Sequence, residues 1–338
     1  MQTSALDMGA VLEQLHRARQ STDGATFTTI NLVAYVDDAE LHARILERAN
    51  LLAEKYPARI VVLNAFSEDE PKVTTQARQA GAGSTIVAEV IELGCADQSP
   101  QAICSAVNTL RVTDVPNLLY WTSISVANEI LFEDLSKMMD TIIVDSSGND
   151  AKADALRELS DFFASDAERD AAMQNVVIRD LAFMRLAPWQ DMIAQFFDDP
   201  QFLAELERIS RMEIKAGSEA EAYYLVAWIG SRLGWKPCGR FSLCDRQDRE
   251  IRVDVQREGQ ARRGFRVALS TGAVTYTAEL TDQPDTVCLS VSTRRETRCA
   301  PLKQVDSMSL LERAFLVHTH DALFEESLAL VHDLLEYD

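Results

Sequence analysis

The chain has 338 residues, 47% hydrophobic and 25% charged, which is the balance of an ordinary globular protein long enough for two domains. Its 33 basic and 53 acidic residues leave −20 at pH 7, which argues against a nucleic-acid or anionic-membrane partner, since both need a basic face. The longest uncharged run, Val115 to Asn128, is too short to span a bilayer. The N-terminal stretch carries Asp7, Glu13 and Arg17 without an unbroken apolar core, so no signal peptide is expected and the location is read as cytoplasmic.

In chain order, Leu6, Ala10, Val11, Leu12 and Leu15 predict an amphipathic helix over 6–20, and the β-branched, aromatic run 27–36 predicts a strand. Leu41, Ile45, Leu52 and Ala53 share one side of a helix over 38–55, and Ile60–Leu63 is a short buried strand. The polar segment 67–84, with Pro71, Gly81 and Gly83, is expected to be a loop. Ile86–Leu93 is a strand, Ser99 and Pro100 open a helix to Leu110, and Leu118–Trp121 is a further strand. Ser125 can cap the next helix, before a strand over Thr141–Val144 that closes on Asp145-Ser146-Ser147-Gly148.

Alternating strands and helices predict a Rossmann-like α/β domain over 1–170, its parallel or mixed sheet covered by helices on both faces. Such sheets bind nucleotides at the carboxyl ends of their strands. The one phosphate-loop candidate, Gly81-Ala82-Gly83, lacks a third glycine and precedes a strand where phosphate binding wants a helix. No cofactor is therefore expected.

Residues 149–174 are charged and helical in pattern, a bridge to a second domain over 171–338. The stretch 176–197 then starts strand-like at Val176-Val177-Ile178, passes through Arg179-Asp180 and turns helical after Pro188. Arg179, Asp180, Arg185 and Trp189 lie among apolar residues dense enough to bury them. Unpartnered buried charge is costly, so Asp180 is expected to meet an arginine or backbone amides, and the stretch reads as a domain junction. Ser218 and Glu221 form a capping box, and the helix it opens ends at Gly234. From Phe241 the period becomes two, with turn-like breaks at Gly259, Thr271-Gly272 and Pro284-Asp285. This predicts an antiparallel meander packed by two terminal helices, roughly 308–317 and 322–336, giving an α+β domain.

No catalytic arrangement emerges from spacing. A single carboxylate, Asp145 or Asp180, is not an acid/base pair. His318-Thr319-His320 has no third metal ligand nearby, so no metal is expected, and His16, His42 and His332 read as solvated. Six cysteines without a C-x-x-C pair suggest reduced thiols, although Cys244 and Cys288 fall on the polar side of the meander as a conceivable redox pair, their strands too far apart for a bridge. Residues 236–266 carry nine bases and five acids, whereas the tail from Asp306 carries eight acids and Arg313. Either the tail neutralises the sheet, or the basic side docks an acidic partner.

Five stretches together resemble the OpcA family of glucose-6-phosphate dehydrogenase assembly proteins: Tyr56-Pro57-Ala58-Arg59, Val115–Trp121, Ile142–Ser146, Asp180–Trp189 and Ala227–Trp235. The chain departs from the family pattern at Tyr120 and Phe183, where relatives often carry Trp, and at Gln190, where Arg is common. The resemblance implies a non-enzymatic regulator that binds glucose-6-phosphate dehydrogenase, promotes its active oligomer and raises its activity. Some cyanobacterial members are tuned by thiol redox state, but the cysteines here carry no motif for it. On this reading Arg179, Asp180, Arg185, Trp189, Arg232 and Trp121 hold the junction or dock the partner. The alternative is an enzyme or sensor binding a sugar phosphate or nucleotide in an interdomain cleft, with Arg179, Arg185 or Arg232 as its cations.

Overall fold

The computed structural model describes residues 6–22, 25–80, 84–123, 129–148, 153–164, 175–257, 265–283 and 285–337. Contacts group the chain into two compact units. One holds Met1–Val144, Arg169–Arg179 and Leu311–His318; the other holds Asp145–Glu168, Asp180–Leu310 and Thr319–Asp338.

The first unit is built on an eight-stranded sheet: β1 (Ala25–Thr26), β2 (Ile30–Val36), β3 (Ala58–Asn64), β4 (Lys72–Ala80), β5 (Ser84–Gly94), β6 (Asn117–Trp121), β7 (Thr141–Val144) and β8 (Val177–Asp180). Every residue of β2 and β3 is buried, as expected of central strands covered on both faces. Helices α1 (Met8–Ser21), α2 (Ala39–Lys55), α3 (Pro100–Leu110) and α4 (Glu129–Ser136) alternate with the strands. The side chains of Asp7, Asp38 and Ser99 accept from first-turn amides and start α1, α2 and α3. The order β5-β3-β2-β6-β7-β8 is the doubly wound order, with its reversal between β2 and β6.

The polar segment expected to be a loop is instead β4, paired antiparallel with β5 from Lys72↔Glu92 to Ala80↔Ser84. Val73, Thr74 and Thr75 suit a strand, and pairing along its length satisfies a backbone that Pro71 had suggested was irregular. Gly81-Ala82-Gly83 and Ser125 lie outside the described residues.

The second unit contains α5 (Ala153–Ala164), α6 (Leu181–Arg185), α7 (Ala187–Ala194), α8 (Pro200–Leu203), β9 (Arg211–Ala216), α9 (Glu219–Leu233), and β10 (Lys236–Gly239). Then come β11 (Ser242–Cys244), β12 (Glu250–Arg257), β13 (Arg266–Ser270), β14 (Thr275–Leu280), β15 (Thr286–Val291) and β16 (Arg298–Pro301). The last helices are α10 (Ser307–Leu316), which passes from this unit into the first, and α11 (Ala322–Glu336). The sheet runs β10-β11-β12-β9-β13-β14-β15-β16.

It is not a pure meander. β9 inserts between β12 and β13 and pairs parallel with β12, Arg252↔Arg211 through Arg257↔Ala216. The helical crossover through α9 carries the chain back to the start of the sheet, and that connection makes a parallel neighbour possible. Alternation in sequence marks each strand but not which strand lies beside it. Met212, Ile214, Val267, Leu269, Tyr276 and Ala278 form the buried face. Gly230 lets α11 approach α9, since a Cβ there would meet Leu330 Cδ2 at 2.8 Å. Gly234 ends α9 at φ +69°, as the left-handed cap requires.

Candidate functional sites at the strand carboxyl ends

In a doubly wound sheet, a dinucleotide's pyrophosphate sits where the first strand runs into its helix, at the reversal of strand order. Here β2 ends at Val36 and Asp37-Asp38 leads directly into α2. Asp38 Oδ1 accepts from the Glu40 amide at 2.7 Å, and Asp37 accepts from Ser123 Oγ at 2.5 Å. Beside them Tyr35 stacks on Trp121 with ring centres 3.9 Å apart, and Phe132 meets Trp121 edge-on at 5.0 Å. Trp121, only 2% exposed, is a core residue. Three carboxylates (Asp37, Asp38 and Glu40) occupy a helix N-terminus whose dipole would otherwise attract phosphate, so an incoming polyphosphate meets like charge. The signal was present in sequence as two aspartates where a phosphate-binding turn needs glycine.

The second cluster follows β7. Asp180 caps α6 through the Ala182 amide at 2.8 Å, and the same oxygen accepts from the Ser146 amide at 3.1 Å. Its other oxygen accepts from Tyr224 Oη at 2.8 Å. Backbone amides and the Tyr224 hydroxyl, not an arginine, are therefore its partners. This cap starts the short α6 at Leu181, unmarked in the sequence pattern, while the expected helix is α7, opening at Ala187 with Pro188 in its first turn. Arg185, on the last turn of α6, reaches Asp145 at 3.0 Å through Nη2, and Ser147 Oγ at 2.8 Å and Glu221 at 3.1 Å through Nη1. Ser218 caps α9 through the Glu221 amide at 3.1 Å while the Glu221 carboxylate turns to Arg185, so the ion pair competes for that arm of the capping box.

Three acids against one guanidinium shape the electrostatics. Burial first, and the neighbouring Asp145 second, raise Asp180 to about 6 despite three hydrogen bonds. Burial raises Glu221, opposed by Arg185, and burial with Asp180 beside it holds the Tyr224 phenol well above its ordinary value. For Arg185, burial pulls the pKa down, but Asp145 and Glu221 outweigh it and the net direction is up. The guanidinium is thus permanently charged and already bonded to three acceptors, two of them carboxylates.

Comparison with known proteins decides the family. Residues 49–161 match the OpcA family described as the glucose-6-phosphate dehydrogenase subunit N-terminal domain, and residues 176–328 match its C-terminal domain. The chain belongs to the OpcA family. It is 27% identical to an OxPP cycle protein OpcA of Synechococcus elongatus over 84% of this chain and 69% of that one. It is 30% identical to the OpcA of a Synechocystis species over 56% of this chain, a match that spans 40% of the relative. In fold it is similar to a 3-ketoreductase of Actinomadura kijaniata solved with NADP and TDP-benzene, at TM-score 0.51 and 11% identity over 91% of this chain and 96% of that one.

The OpcA-like stretches take distinct places. Tyr56 Oη donates to Glu312 at 2.5 Å, and Arg59 joins a buried pair with Glu89. Asp180 and Arg185 come together around Ser146 and Ser147, whereas Arg179 is buried on β8 in the other unit. Trp189 stacks on Phe265 at 4.0 Å, and Arg232 pairs with Glu326 of α11. The cysteine expectation is corrected: Cys244 bonds to Cys238 and Cys288 to Cys299, each across adjacent antiparallel strands with Cα atoms 5.7 and 4.0 Å apart. β10, β11 and β16, short and unrecognised in sequence, bring the partners together: Cys288 and Cys299 lie directly opposite, and Cys244 lies opposite Lys236, two positions from Cys238. Burial pushes the thiols of Cys95 and Cys104 up to about 12 and about 11, away from the reactive thiolate. His42 lies 3.2 Å from Glu92, and His332 lies 3.0 Å from Asp161, so neither is merely solvated.

Proposed function

We propose that this chain is a non-catalytic, cytoplasmic partner of glucose-6-phosphate dehydrogenase. It binds the dehydrogenase and promotes its active oligomer by binding that state more tightly than the inactive one, which raises activity toward glucose 6-phosphate. The observation that carries this reading is that both halves match domains described as those of a glucose-6-phosphate dehydrogenase subunit.

The site geometry supports it. The turn that would hold a dinucleotide is lined by Asp37, Asp38 and Glu40. Arg185, the cation a sugar-phosphate site would need, is spent on Asp145, Glu221 and Ser147, and Arg232 on Glu326. Arg185 and Asp180 lock the start of α6 to the Asp145–Ser147 turn and α9, and Trp189 fixes the following helix against Phe265. In this reading these residues hold the shape that docks.

The test mixes the purified chain with its cognate dehydrogenase. Co-elution on size exclusion, a larger dehydrogenase assembly and a lower KM for glucose 6-phosphate are expected; absence of both co-elution and a kinetic change refutes the proposal. Thermal melting with glucose 6-phosphate or NADP and no dehydrogenase should leave the Tm in place, whereas a rise of several degrees would favour a small-molecule site.

A further inference from the structure

We propose that this chain forms a two-fold dimer through the open face of its second sheet. The buried face carries Met212, Ile214 and Val267, so their neighbours Arg211, Glu213 and Arg266 point the other way, and all three are exposed or half-buried. Pairing registers order that open face into rows. One row reads Arg252, Arg211, Ser270, Thr275; the next reads Asp254, Glu213, Ala268, Thr277, Ser290. The β12–β9 half therefore bears long side chains, and the β13–β15 half bears mostly small ones.

That step is self-complementary. A two-fold axis running along the strands between β9 and β13 lays β9 of one copy over β13 of the other, and β12 over β14. Arg211 and Glu213 then face Ser270 and Ala268, while Arg252 and Asp254 face Thr275 and Thr277. Long side chains fill the space that small ones leave, and no acid of these two rows meets an acid. Charge favours the same surface. The chain carries −20, yet on these strands the four bases Arg211, Lys215, Arg252 and Arg266 outnumber the three acids Glu213, Asp254 and Glu279 by one. In the third row Lys215 of each copy meets Arg266 of the other, but Arg266 already lies 3.8 Å from Glu213 and 4.0 Å from Glu279, and Arg211 pairs with Glu213 at 2.9 Å. Acids therefore accompany the bases here, and the repulsion is smaller than the net charge imposes elsewhere. Eight strands about 4.8 Å apart, with about five residues each, give a face of roughly 600–700 Å², close to the ~800 Å² per partner of a standard interface.

The experiment is sedimentation velocity on the full chain alone, between 1 and 50 µM. A species of twice 37.7 kDa is expected. Thr277→Arg should weaken the dimer at least about 30-fold while Thr277→Ser keeps it. Ser290→Arg provides an independent variant should Thr277→Arg fail to fold, as judged by far-UV circular dichroism. A monomeric wild-type chain at 50 µM overturns the proposal, and so does a dimer indifferent to both arginine variants. A monomer whose co-elution with the dehydrogenase is lost on Thr277→Arg assigns the face to that enzyme and equally overturns the two-copy dimer. Because the dimer is measured without the dehydrogenase, its failure leaves the proposed function standing, and the reverse also holds.

Discussion

Glu89 in the first unit and Asp180 in the second are almost equally buried, at 0% and 1% exposure, yet they are held in opposite ways. Glu89 receives full positive charge: Arg59 through Nε at 2.8 Å and Nη2 at 2.5 Å, and Arg19 through Nε at 2.6 Å. Asp180 receives only dipoles, from two backbone amides and a tyrosine hydroxyl, while the nearby guanidinium of Arg185 serves Asp145 and Glu221. The first cluster has two cations for one acid; the second has three acids for one cation. A buried carboxylate can thus be stabilised by charge or by oriented neutral groups, and in the second arrangement burial and the neighbouring Asp145 raise Asp180 to about 6.

The charge-held cluster should be the more fragile to truncation. Glu89→Ala leaves Arg59, hydrogen-bonded otherwise among the described residues only to the Leu110 carbonyl at 2.7 Å, buried without a counter-charge. The expected loss is roughly 3–5 kcal/mol in urea denaturation, and the pair Arg59→Leu with Glu89→Leu should recover most of it. A loss under about 1 kcal/mol for Glu89→Ala would mean water reaches Arg59 and would erase the contrast. Arg185→Met is expected to cost roughly 2–4 kcal/mol, somewhat less because the Asp145 side chain is 27% exposed and can be solvated once freed.

What could be read in the sequence follows from the range of each interaction. Local signals were sufficient for the Ser99 and Ser218 caps, the Gly234 stop and the buried strands β2 and β3, because each depends on residues within a turn or a strand. The need for partners at Asp180 was legible from its apolar surroundings. Which partners it took was not, since Ser146 and Tyr224 are 34 and 44 positions away. The same limit hid the parallel neighbour of β9 and the cysteine pairing, both set by which strands meet. β4 was misread for another reason: its polar residues lie on a strand at the sheet's side, where alternation of apolar residues is weak.

The dipole-held acid makes a prediction in pH. The Asp180 carboxyl has a folded pKa of about 6, against about 3.9 in an unfolded chain, so the folded state holds its proton more tightly. Below about pH 4 both states are protonated and the native state bears no ionisation cost. As pH rises through 6 that cost accumulates, roughly 2–3 kcal/mol for the shift. Asp180→Asn keeps the acceptor for the Ser146 and Ala182 amides and has no proton to lose. Its stability relative to wild type should therefore climb by that amount between pH 4 and 7 in urea titrations, whatever its offset at pH 4. Parallel curves would show that Asp180 is not the titrating group, and Glu221, raised in the same direction by burial, would be the next acid to test.

The smallest effect tests whether burial, rather than pairing, sets these magnitudes. Arg232 and Glu326 join α9 to α11, but their side chains are 40% and 53% exposed. Water competes for both groups, so Arg232→Ala should cost less than about 1 kcal/mol by the same urea assay, and the loss should shrink further in 0.5 M salt. Arg185 makes the same kind of contact between side chains with only 23% exposure. A cost for Arg232→Ala equal to that of Arg185→Met would mean that the fixed position of the helices, not desolvation, governs both pairs. The contrast between charge-held and dipole-held acids would then need to be recast in terms of rigidity.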